Sequence, residues 1–184
     1  EYPKLEEEKL KKRSERDSLT NLYNHMTMKT LVDERLRGET QEAWLLVMDV
    51  DDFKQVNDSL GHLYGDAVLC SFADELVHVF DSPWTGRIGG DEFCVLAVGE
   101  TKESICKKME LFNRRIRKKC SSEGSKISVS SSIGAAKYQP DVYQYDLLFK
   151  QADSALYYVK NHGKSNYQIY DPMVCSMDNE EASW

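Results

Sequence analysis

Five carboxylates in two short stretches carry the chemistry this chain can do. An apolar run over residues 44–50 ends in Asp49, Asp51 and Asp52. Asp91 and Glu92 follow the pair Gly89-Gly90, which separates two strand-like runs, residues 84–88 and 94–97. A glycine pair between apolar runs signals a hairpin, because both central turn residues can take positive φ without a Cβ clash. Carboxylates placed directly after such a turn sit at the tip of a stiff element, where backbone can approach a ligand. Two ionised carboxylates brought together repel, so they share a proton or bind a cation. Hard oxygen donors in this number favour a divalent metal, Mg²⁺ first, and with it a phosphate site at one edge of a sheet. On spacing alone the plainer alternative stays open: Asp52 caps a short helix and Asp91 closes a turn.

These groups need a scaffold, and the pattern of apolar residues supplies one. Residues 43–50 are apolar almost throughout, as in a strand covered on both faces. A short helix over residues 52–58 and a turn at Gly61 follow, then a helix over residues 64–80 with Val68, Leu69, Phe72, Leu76 and Phe80 on one face. Ile105, Met109, Phe112 and Ile116 mark a second long helix. Residues 126–138 alternate through Ile127, Val129, Ser131 and Ile133, a strand with one drier face. Leu148, Ala152, Ala155, Leu156 and Val159 mark the last helix, and residues 167–170 a short closing strand; residues 27–37 form an amphipathic helix ahead of them all. Strand–helix–strand–strand–helix–strand is a split βαβ arrangement of α/β (α+β) class, with a mainly antiparallel central sheet flanked by helices. In that order the first strand lies mid-sheet beside the central hairpin, which brings Asp49 toward Asp91.

The 184 residues suit one domain with a real core. A net charge of −7 argues against a nonspecific nucleic-acid binder, though not against a nucleotide met by a metal and a few lysines. No apolar stretch reaches membrane-spanning length, and membrane contact by this domain is not expected. Five cysteines form no CxxC pair and read as reduced core residues of a cytoplasmic protein. The four histidines show no ligand spacing. Residues 4–16 are a polar, helix-favouring leader with Glu7–Lys11 and Glu8–Lys12 at supportive spacing, and the acidic residues 172–184 read as a loosely ordered tail.

Gly89-Gly90-Asp91-Glu92-Phe93 spells, and closely resembles, the signature of the GGDEF family, the diguanylate cyclase domains. Asp17-Ser18-Leu19-Thr20-Asn21-Leu22-Tyr23-Asn24 resembles the family's opening motif. Asp49-Val50-Asp51-Asp52-Phe53-Lys54, Asn57-Asp58, Gly61-His62 and Gly65-Asp66 resemble its nucleotide segment. Ser132-Ile133-Gly134, Ala152-Asp153, Ala155-Leu156-Tyr157, Lys160, Gly163 and Asn166 resemble its last strand and helix. The likeness runs in order over residues 17–171.

The resemblance implies a fold like that of nucleotidyl cyclase and polymerase palm domains. It also implies condensation of two GTP into cyclic di-GMP with release of two pyrophosphates. Asp49, Asp91 and the Val50 carbonyl would hold Mg²⁺, with Mn²⁺ possible; Asp91, Glu92 and Lys54 would be catalytic. Asn57 and Asp66 would contact guanine, and Asp52, Phe53, Lys160 and Lys164 would meet the phosphates. Two copies would be needed, as a transient homodimer or one driven by an upstream module. Residues 1–16 would then be the end of a linker helix and residues 17–171 the catalytic domain; a membrane anchor elsewhere in a longer protein stays open.

Three departures from the family pattern matter. Lys164 stands where an arginine is usual, replacing a forked contact by a point charge. His25 likewise replaces an arginine after Asn24. Where many members carry the arginine-x-x-aspartate motif that binds product and inhibits, this chain reads Asp81-Ser82-Pro83-Trp84, so no product inhibition through that site is expected. A catalytically silent GTP-binding regulatory module is the competing reading, and a cyclic di-GMP receptor a third.

Overall fold

Period-two alternation along one strand decides how the molecule is layered. In the computed structural model, which describes residues 2–120 and 128–175, β1 (Ala43–Val50) is buried along its whole length. Successive side chains of a strand point to opposite faces. Ala43, Leu45 and Val47 pack with Met28, Val32, Tyr145 and Leu148, whereas Trp44, Leu46, Met48 and Val50 pack with Val68, Phe72, Met109 and Phe112. Helices α2 (His25–Leu36) and α6 (Tyr145–Asn161) therefore cover one face, and α4 (His62–Phe80) and α5 (Lys102–Lys119) the other. Asp49 falls in phase with Leu45 and Val47, on the α6 side.

The sheet runs β2-β3-β1-β4-β5, with β2 (Trp84–Arg87), β3 (Glu92–Val98), β4 (Ser131–Lys137) and β5 (Tyr167–Ile169). The β2–β3, β3–β1 and β1–β4 pairs are antiparallel and β4–β5 is parallel. This is the mixed α+β, split βαβ fold the sequence implies, with β1 central between β3 and β4. Gly134 on β4 lets α6 approach closely. A Cβ there would lie 2.0 Å from the Ala152 carbonyl and 2.4 Å from the Leu156 amide, both of them backbone that cannot yield.

Three local readings are corrected. Neither Gly89 nor Gly90 takes positive φ, so the connection is no two-residue primed turn. It is longer, with residues 88–91 between β2 and β3. The fourth strand begins at Ser131 and is buried on both faces from Ser131 to Ala136, since it lies inside the sheet with helices above and below; residues 126 and 127 of the expected strand lie outside the described residues. Helix α4 starts at His62, two residues before the expected start at residue 64, behind Gly61, whose φ of 88° marks the cap position, so Asp66 lies within the helix.

Helix α1 (Tyr2–Glu15) precedes the domain, with residues 3–14 exposed, and α7 (Pro172–Cys175) follows β5. The part of the expected tail beyond residue 175 lies outside the described residues. None of the five cysteines forms a disulfide, and three of them are buried. Among the described residues no helix is long and apolar enough to cross a membrane.

Candidate active site

Asp49 on β1 stands directly opposite Glu92 on β3. Like charges so placed destabilise a sheet unless a cation joins them. Lys160, in the last turn of α6, supplies one: its ammonium forms an ion pair with Asp49 Oδ2. Asp49 is only 5% exposed, and its Oδ1 is buried with no hydrogen-bond partner among the described residues. Burial pushes the Asp49 carboxyl up to about 6, against the pull of Lys160, and the negative charges of Asp91 and Asp51 push the same way. Burial opposes the Lys160 ammonium too, but the bond to Asp49 and the charges of Glu92 and Asp91 more than offset it and raise that pKa. Asp91 adjoins the end of β1, where its carbonyl accepts the Val50 N–H at 3.4 Å. The two aspartates and Glu92 thus meet under one lysine.

The connection carrying Asp91 is held from outside the hairpin. The Ile88 and Gly89 amides donate to the Glu92 carbonyl at 2.9 and 3.3 Å. A Cβ on Gly89 would meet Glu92 Oε2 at 2.7 Å, so the Glu92 carboxylate lies against Gly89 and would have to shift for a larger residue. Arg87 donates Nε and Nη2 to the Gly90 carbonyl at 3.1 and 2.6 Å, and Nη1 to both oxygens of Asp17 at 3.2 Å. Burial raises the Asp17 carboxyl, but Thr20 and Arg87 more than offset this and hold it below its ordinary value. Asp17 also accepts from the Thr20 amide and hydroxyl at 2.8 and 2.7 Å.

Asn24 joins this opening turn to α1. Its amide donates to the Ser14 carbonyl at 2.7 Å while its oxygen caps α2 through the Thr27 N–H at 3.0 Å. Tyr23 lies alongside β2, with its N–H on the Thr85 carbonyl and its carbonyl on the Arg87 N–H. His25 packs against the Tyr145 ring, centroids 5.7 Å apart. Arg87 is the residue that sequence reasoning missed; its one signal was an arginine closing the short edge strand Trp84-Thr85-Gly86-Arg87.

The loop after β1 separates the three clustered aspartates. Asp51 accepts from Ser130 Oγ and Ser132 Oγ, both at 2.6 Å, and from the Ser165 amide at 3.0 Å. It stitches β1 to β4 and to the loop after α6. Asp52 sits in left-handed backbone, φ 52°, before α3 (Phe53–Leu60), and makes no side-chain cap. It pairs instead with Lys164 at 2.6 Å, itself left-handed at φ 58°. Phe53 opens α3, and Lys54 is exposed on it.

Asn57, further along α3, also has a buried Oδ1 without a partner among the described residues. A Cβ on Gly65 would fall 1.8 Å from that oxygen, so α3 and α4 touch there, with exposed Asp66 next to the contact. Asn57 thus lies against the α4 residue that precedes Asp66. Two concavities of about 650 and 680 Å³ lie elsewhere, one beside α6 at Leu147, Lys150, Tyr157 and Tyr170, the other between α1 and α2. Unsatisfied polar groups mark this edge of the sheet.

The donor set fits a hard divalent cation. Among the described residues no three His, Cys, Asp or Glu side chains gather into a cage. Mg²⁺ seldom uses such cages; it is bound through one or two carboxylates plus substrate phosphates. Asp49 with its orphaned buried oxygen, Asp91 beside it and the adjoining β1 backbone are a set of that kind.

Residues 14–166 match the family described as "Diguanylate cyclase, GGDEF domain". The chain is 34% identical over 171 residues to biofilm architecture maintenance protein MbaA of Vibrio cholerae, covering 85% of this chain and 21% of that protein. It is 31% identical over 160 residues to probable diguanylate cyclase DgcC of Escherichia coli, covering 85% and 43%. It therefore spans less than half the length of these curated relatives. The GGDEF domain of TpbB (YfiN) from Pseudomonas aeruginosa superposes with a TM-score of 0.78 at 27% identity, covering 89% of this chain and 99% of that one. The coiled coil and GGDEF domain of DgcB from Caulobacter crescentus, solved with c-di-GMP, is similar in fold, with a TM-score of 0.81 at 24% identity and coverage of 91% and 92%. Matched over most of its length and carrying the signature at the β2–β3 connection, the chain belongs to the GGDEF domain family.

Proposed function

We propose that this chain is a diguanylate cyclase domain that condenses two GTP into cyclic di-GMP and releases two pyrophosphates. The observation that carries the reading is the buried, unpartnered oxygen of Asp49 beside Asp91 at the signature turn. When bound to Asp49, Asp91 and the Val50 carbonyl, Mg²⁺ (or Mn²⁺) supplies a Lewis acid that acidifies the attacking 3′-hydroxyl and neutralises the leaving pyrophosphate.

The chain's own residues do the rest. Asp66 accepts the N1–H and one N2 amino hydrogen of guanine, and the orphaned Asn57 Oδ1 accepts the other N2 amino hydrogen. Adenine offers neither set, so the wrong base leaves a buried acceptor unpaired. Backbone N–H groups at Asp52 and Phe53 face the phosphates from the start of α3. Lys54, Lys160 and Lys164 bring positive charge to them. Asp91 takes the proton of the 3′-hydroxyl as its oxygen attacks the α-phosphorus of the second GTP, and Glu92 keeps the turn acidic beside it.

Each domain holds one GTP, so two copies face each other about a two-fold axis. Residues 1–16 serve as the end of a linker helix that pairs them, residues 17–171 as the catalytic domain in the cytoplasm, and residues 172–184 as its tail. Residues 81–84 do packing work: Ser82 Oγ donates to the Leu96 carbonyl at 2.5 Å and accepts the Trp84 N–H. With no arginine there, product does not inhibit through that segment. The test is incubation of concentrated protein with GTP and Mg²⁺, followed by mass analysis. Cyclic di-GMP is expected from GTP and no cyclic dinucleotide from ATP; absence of any dinucleotide from GTP refutes the proposal.

A further inference from the structure

We infer that Lys160 is a placeholder that holds the cation position on Asp49 until nucleotide draws it away. The inference rests on the cyclase reading of the site. Lys160 sits on Asp49 Oδ2 and is surrounded by the charges of Glu92 and Asp91 as well. It therefore neutralises, with one ammonium, the same carboxylates that a divalent cation would join. An ammonium and a metal ion cannot both occupy that cluster without like-charge repulsion across a half-buried site.

Lys160 also has somewhere to go. Its side chain is 38% exposed, at the end of a helix, on a flexible four-carbon stem. Lys164, four residues on, is tied in the same way to Asp52 in the loop where phosphates are proposed to bind. Lys160 and Lys164, two of the three lysines proposed for the phosphates, are thus paired with acidic residues of the β1–α3 edge. Incoming phosphate competes for the lysine, and the departing lysine opens Asp49. Metal and nucleotide then favour each other's binding, a coupling that runs equally in both directions. The paired state also keeps Asp49 from being a bare buried charge when the site is empty of both.

The test is Mn²⁺ binding to the 184-residue chain, measured by calorimetry without nucleotide, in wild type, Lys160→Met and Lys160→Gln, with thermal melting alongside. Both variants should bind Mn²⁺ at least about fivefold tighter than wild type, the lower end of ordinary coupling between sites. Mn²⁺ should also raise their melting temperature more than it raises that of wild type. Variants that bind Mn²⁺ no tighter than wild type overturn the placeholder role alone, provided that wild type binds Mn²⁺ with a GTP analogue methylene-bridged between the α- and β-phosphorus. If wild type with that analogue takes up no more Mn²⁺ than Asp49→Asn does, the cyclase reading falls and this inference with it.

Discussion

The Arg87 guanidinium lies 3.2 Å from both carboxylate oxygens of Asp17 and reaches the Gly90 carbonyl with its other two nitrogens. One side chain thereby ties the turn after α1 to the residue before Asp91. Because Asn24 fixes that turn to the last residues of α1, the helix end and the proposed catalytic turn share a continuous set of hydrogen bonds. An orientation set at α1 can reach Asp91 by this route without passing through the core.

Arg87→Ala should therefore cost both activity and stability. Loss of charge-assisted bonds to two partners costs about 1.5–3 kcal/mol. Cyclic di-GMP formation should fall more than tenfold, because residues 88–91 lose their outer clamp. Asp17→Asn, which leaves the Gly90 bonds in place, should fall less. Denaturant melts and initial rates on both variants check the order; equal rates for Arg87→Ala and wild type would remove the clamp from the account.

Asp49 makes stability depend on pH. Its carboxyl is raised from the ordinary range to about 6 on folding, so the native state binds the proton more tightly than the unfolded chain. Its favourable contribution is complete below about pH 4 and is lost as pH rises through about 6, amounting to at most about 3 kcal/mol. Metal-free Asp49→Asn should thus melt higher than wild type at pH 7.5, and the gap should close toward pH 4.5. A gap that widens on acidification would contradict the assignment. Saturating Mg²⁺ should stabilise wild type and not the variant.

Gly65 tests the base site from the side of packing. A methyl group there meets Asn57 Oδ1 at 1.8 Å, so Gly65→Ala must turn Asn57 away or part α3 from α4. A destabilisation of about 1–3 kcal/mol is expected, with a rise in KM for GTP larger than any fall in kcat. Unchanged KM would show that Asn57 does not touch the base.

Much of this was legible before the coordinates. The apolar run of β1 and its terminal aspartate set both the central strand and the carboxylate that faces α6, since alternation leaves Asp49 only one face. The meeting of Asp49 with the signature turn followed from strand order. What sequence could not show depends on partners far along the chain. The Asp51 bonds reach Ser130, Ser132 and Ser165, and nothing local distinguishes Asp51 from Asp49 two residues before it. The clamp by Arg87 joins residues 70 positions apart. The double glycine misled for a physical reason: neither glycine takes positive φ, and the Glu92 side chain packs against Gly89.

The account stands or falls on Asp91 and Asp49 acting together at the phosphorus of GTP. The most direct measurement is the initial rate of pyrophosphate release from GTP against Mg²⁺ concentration, for wild type and Asp91→Asn at matched melting temperature. The wild-type rate should rise with Mg²⁺ to saturation, and the variant should lie at least about a thousandfold lower, as expected when a combined acid–base and metal-holding group is lost. A variant that releases pyrophosphate at a rate comparable to wild type, with the same Mg²⁺ dependence, would contradict it.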